Sequence, residues 1–110
     1  MVALCREHLH ANLADYIQYM DPEILDRMIA NALKRGARLG VHAEDLLGFV
    51  VLSFKNGPSF DEQAHIKNLF AKYKDAGSPF LKQLTAEATD ADWKEASDNY
   101  DSSAWFSEAS

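Results

Sequence analysis

Apolar residues along this chain recur at intervals of three and four rather than two, the spacing that lines one face of a helix. Leu9, Leu13, Ile17 and Met20 form the first such stripe, widened by Tyr16. Asp21-Pro22-Glu23 then reads as a stop and restart. Asp21 can cap a new helix, Pro22 suits its first position because no N–H is needed there, and Glu23 favours the positive end of the helix dipole. Ile24, Leu25, Met28, Ile29, Ala32 and Leu33 follow on one face, with Lys34, Arg35 and Arg38 near the negative end and Gly40 as the stop.

The run LLGFVVLSF, residues 46–54, is apolar on all sides and rich in β-branched and aromatic residues, so a buried strand and a central helix both fit it. We prefer the helix, because Glu44-Asp45 suits a helical first turn and the chain offers no second strand to pair with. Gly48 inside that helix would cost about 1 kcal/mol relative to alanine; close approach by a neighbouring helix is its expected compensation. Asn56-Gly57-Pro58 ends the element, and Ser59 or Asp61 could cap the next, where Ile66, Leu69, Phe70 and Tyr73 make another stripe. A short helix carrying Phe80, Leu81 and Leu84 and a last one with Trp93, Ala96 and Tyr100 on one side complete the pattern. The expected fold is all-α: a single compact domain of five or six short helices in an orthogonal or irregular bundle over residues 1–101. A Ser-rich C-terminal tail, 102–110, carries the pair Trp105-Phe106.

Length and composition agree with one globular core, since 110 residues with 47% apolar side chains and 12 aromatics can bury one. The charge is more informative by position than by total. Residues 1–82 hold ten acids and ten bases, whereas residues 83–110 hold seven acids and one base, Lys94, so the whole net charge of −6 lies there. Such a chain lacks the basic stripe that phosphate neutralisation requires, which argues against nucleic acid and against an anionic membrane as partner. The apolar run around Leu46 is too short to span a bilayer, the first residues carry no signal-peptide pattern, and the single Cys5 suits a reducing compartment. A cytoplasmic location is the expectation.

Chemistry-bearing patterns are sparse. Cys5, His8, His10, His42 and His65 lack the spacing of a metal site, and no Gly-x-Ser-x-Gly turn or phosphate-binding glycine loop occurs. Asp61, Glu62, Asp90, Asp92 and Glu95 could serve as acid and base, but their polar neighbours suggest exposure and ordinary pKa values. The helix dipole accounts for the cluster Lys34, Arg35, Arg38. No catalytic, cofactor-binding or metal-binding residue is assigned.

The C-terminal segment is the candidate site. Trp93, Tyr100, Trp105 and Phe106 stand among Asp92, Asp98, Asp101 and further acids, a combination in which aromatics anchor a protein partner and charge steers it. Trp93 and Tyr100 share a helical face and could instead close the core, and Trp105-Phe106 could fold back onto the body. A homodimer through the residue 43–54 helix is a further arrangement the pattern allows.

Leu39-Gly40, Glu44-Asp45, Gly57, Pro58, Phe60, Asp61, Ile66, Leu69, Lys82, Leu84, Trp93, Tyr100 and Trp105 form a pattern over residues 37–105. In that pattern the chain resembles small helical proteins of bacterial type VI secretion effector clusters. The chain departs from that pattern at Gln63-Ala64-His65, where the family has His-Pro. The resemblance transfers no catalytic residue. It implies a protein-binding role, as an adaptor or co-chaperone for a secreted effector, with an effector or larger chaperone as partner; the alternative is an immunity protein that occludes a toxin's active site. Physically, Gly57 and Pro58 would end one helix, Phe60 would enter the core and Asp61 would cap the next helix.

Overall fold

The run at residues 46–54 is helical, and its surroundings explain its composition. In the computed structural model, which describes residues 1–106, it belongs to α4, Leu46–Asn56, which lies between two groups of buried side chains. Val50 and Phe54 enter one group and Phe49 the other. A helix with core on two sides needs apolar residues nearly all round. The helix-breaking cost of Gly48 is met as expected: a Cβ there would stand 3.0 Å from Leu81 Cδ2, so the missing side chain lets the two elements approach.

The other helices are α1, Val2–Asn12; α2, Ala14–Ile17; α3, Pro22–Arg38; α5, Ala64–Tyr73; α6, Leu81–Glu87; and α7, Asp90–Asp98. Three 3-10 turns, Ala43–Asp45, Phe60–Glu62 and Ser102–Phe106, complete an all-α bundle without strands among the described residues. Its radius of gyration is 13.2 Å, matching the roughly 13 Å typical of a domain this size.

The first stripe divides into two helices. α1 stops at Asn12, and Leu13 leaves helical geometry with φ −131° and ψ 36° before α2 begins. The Asn12 side-chain amide donates back to the His8 carbonyl one turn earlier at 3.0 Å. Leu9, Leu13 and Ile17 stay buried across the break, while Tyr16 and Tyr19 face outward. α3 begins as expected, with Asp21 Oδ1 accepting from the backbone N–H of Glu23 at 2.8 Å and Pro22 in its first turn.

Two acids do different work from the one their positions suggested. Asp45 caps a distant helix, its Oδ2 accepting from the N–H groups of Phe80 and Leu81 at 2.8 and 2.9 Å, at the start of α6. Asp61 caps nothing. It is buried against Arg35, whose Nε and Nη2 donate to its two carboxylate oxygens at 2.8 and 3.2 Å. The cap of α5 is Gln63, whose side-chain oxygen accepts from Ile66 N–H at 2.8 Å. Arg35 is therefore held by an ion pair as well as by its place near a helix end. Glu62 Oε1 lies 3.7 Å from the same guanidinium.

Phe60 enters the core as expected, 5.2 Å from Phe49 between ring centroids. Phe70 joins both rings and Phe80 extends the cluster, in tilted and edge-on arrangements that aromatic quadrupoles favour. Residues 102–106 belong to the helical body and do not form a separate tail: their turn packs on α3. The rest of the Ser-rich stretch, 107–110, lies outside the described residues.

Candidate protein-binding surface

α7 begins with a capping box, in which the Thr89 hydroxyl accepts from Asp92 N–H and the Asp92 carboxylate accepts from Thr89 N–H at 2.9 Å. The same carboxylate accepts from His65 Nδ1 at 2.5 Å and from Gln63 Nε2 at 3.2 Å. The Thr89 backbone bond, followed by the His65 bond, holds its pKa below the usual aspartate value. Asp92 thus ties α7 to the start of α5, and its acceptor capacity is spent within the chain. Trp93, beside it, lies against Phe60 with centroids 6.0 Å apart and packs on the second core group. Both residues, expected as partner contacts, serve the fold here.

Trp105 folds back onto the body, one of the two placements that its sequence context allows. It is 4% exposed and its ring lies 4.7 Å from that of Phe54. Its indole N–H donates to Tyr100 Oη at 2.7 Å and its carbonyl accepts from the Asn31 amide at 2.8 Å. A buried indole needs a hydrogen-bond acceptor, and Tyr100 supplies it. Asp101 sets up the turn that delivers the ring: its Oδ1 accepts from Ser103 N–H at 3.0 Å and Ser103 Oγ–H at 2.6 Å, and these bonds lower its pKa. Asp98 is exposed and paired with Lys94 at 2.8 Å.

Of the four expected aromatics, Tyr100 and Phe106 remain outward, at 51% and 42% exposure. Phe106 has the Arg27 guanidinium over its ring, 5.1 Å from the centroid. Tyr100 also covers Gly57, whose φ of 105° and closeness to the tyrosine ring, 3.0 Å from where a Cβ would be, leave no room for a side chain. The Gly57 of the sequence motif therefore ends α4 and seats Tyr100.

Tyr100 and Trp105 line a groove of about 320 Å³, and Tyr16, Met20 and Phe54, which sequence reasoning did not assign to a site, line it with them. Asn56 and Ser97, hydrogen-bonded to each other at 3.4 Å, add polar atoms. Tyr19, beside this rim in sequence, is 92% exposed. Tyr16, read from the sequence as widening the apolar stripe, is instead turned outward where the helix breaks at Leu13, a break that the periodicity does not mark.

Among the described residues, no three His, Cys, Asp or Glu side chains come together as a metal site, and no helix is long and apolar enough to cross a membrane. Cys5 is buried, which raises its thiol pKa and disfavours the reactive thiolate. No known protein family matches the chain, and no curated protein or solved structure is significantly similar to it.

Proposed function

We propose that this chain is a non-enzymatic protein-binding module, an adaptor or co-chaperone for a secreted effector, of the kind its likeness to type VI secretion cluster proteins implies. The groove between Tyr16 and Tyr100 carries the reading. It joins the exposed aromatics Tyr16 and Tyr100, from opposite ends of the chain, with the buried rings of Phe54 and Trp105, the composition of an anchor site in a protein interface. The carboxylates considered as acid and base support a non-catalytic role, because Asp61 and Asp92 are committed to Arg35 and to His65, Gln63 and Thr89.

The test is co-expression with the genes encoded beside it, followed by affinity capture. An effector or larger chaperone should co-purify with the chain, and Tyr16→Ser with Tyr100→Ser should reduce that capture at least about tenfold, the loss expected when interface anchors are removed. Recovery of this chain alone would overturn the proposal. The immunity reading draws on the exposed acids of α7, Asp90, Glu95 and Asp98, which could complement a basic cleft. Rescue of growth from a neighbouring toxin, with direct binding to its catalytic domain, would favour that reading over the adaptor.

A further inference from the structure

A second cleft, of about 320 Å³, opens between the C-terminal half of α3 and α5 and shares no residue with the aromatic groove. Leu39, Phe70 and Ala71 give it an apolar lining, and Arg38, Lys67 and Lys74 are its cations beside Arg35. The buried Arg35–Asp61 pair forms one wall, so those two charges offset each other and hold the wall in place. Among the described residues Lys67 and Lys74 enter no ion pair within the chain. Lys67 and Lys74 outnumber Glu62, the remaining anion of the lining, on a chain whose net charge is −6.

We propose that this cleft binds an acidic peptide segment of a partner protein, seating one apolar side chain on Leu39, Phe70 and Ala71 and carboxylates on Lys67 and Lys74. The lining selects against a bare anion, because apolar surface gains nothing from phosphate but gains from the hydrocarbon that covers it. It also selects against nucleic acid, because two lysines beside Glu62 do not make the basic stripe that a run of phosphates requires. The proposal does not depend on the aromatic groove, and its failure would leave that reading intact.

The probe is a fluorescein-labelled peptide of glutamates flanking one leucine, titrated with the full chain and followed by fluorescence anisotropy. Saturable binding is expected, weakening with salt as exposed charges are screened. Lys67→Glu with Lys74→Glu should weaken it at least about tenfold, as should replacing the peptide's leucine by serine, while Tyr16→Ser with Tyr100→Ser leaves it unchanged. Both lysines are exposed, so the variant should fold; if its circular dichroism melt is lost, Lys67→Gln with Lys74→Gln takes its place. Amide shifts in the folded chain should concentrate at the C-terminal half of α3 and on α5. Absence of binding, equal binding of the serine peptide, indifference to the lysine variants, or tighter binding of a single-stranded oligonucleotide would each overturn the proposal.

Discussion

Arg35 and Asp61 meet side-on in the interior, with two hydrogen bonds at 2.8 and 3.2 Å, and join α3 to the turn that follows α4. Both are under a tenth exposed. Removing one partner would leave a buried charge without its counterion, which costs about 3–5 kcal/mol, whereas an apolar pair of similar volume is often neutral or better. Asp61→Ala should therefore lower the urea midpoint strongly. The double variant Arg35→Met with Asp61→Leu should recover most of the loss, and a double that is no more stable than Asp61→Ala would show that the pair's geometry itself is required.

That pair also marks where the sequence stopped being legible. Phe60 could be placed in the core because its size and neighbours demand burial whatever the topology. Asp61 could not, because its role depends on Arg35, which lies 26 residues away in the chain and whose approach is set by how α3 crosses the core. The amphipathic helices were readable from periodicity, whereas α4, apolar on all sides, was read as a helix only from its acidic first turn and the lack of a partner strand. The break at Leu13 was not, since the apolar stripe continues across it. For the candidate site, Tyr100 was legible as an aromatic near an acidic end, but the place of Tyr16 in the same groove depends on that unseen break. Trp105 was ambiguous for a related reason: a lone indole in a Ser-rich stretch has no period to say which way it turns.

The burial of Trp105 separates it from its neighbour Phe106. Trp105→Ala would open a cavity beside Phe54 and remove the indole N–H bond to Tyr100 Oη, at a cost of about 3–5 kcal/mol. Phe106→Ala should stay within about 1 kcal/mol, the loss being surface contact with Arg27. Thermal melts of the two single variants check this. A small effect at Trp105 would mean that its ring does not close the first core group.

Gly57 couples the sequence motif to the groove. An alanine there must hold φ near 105° and displace Tyr100, a strain of about 1–3 kcal/mol. Gly57→Ala should lower the melting temperature and also weaken capture of the partner, because a tyrosine lining the groove loses its seat. Retained partner affinity at equal folded fraction would place the anchor elsewhere than Tyr100.

Acid should loosen the C-terminal half first. Asp92, Glu87 and Asp101 all have pKa values held below their ordinary ones: Asp92 by Thr89 and His65, Glu87 by Lys72 and Tyr73, Asp101 by Ser103. A carboxyl whose folded pKa is depressed contributes its stability fully above the unfolded value, near about 4 for these groups, and loses it as pH falls through the folded value. Stability should thus fall as pH drops below about 4. Asp92→Asn removes one of these titrations and weakens the capping box and the His65 bond together. Its urea midpoint should be lower than that of the unmodified chain at pH 6, and the gap should narrow toward pH 2, where Asp92 itself becomes protonated. A gap that stays constant over that range would show that the charge on Asp92 contributes nothing to holding α7 against α5.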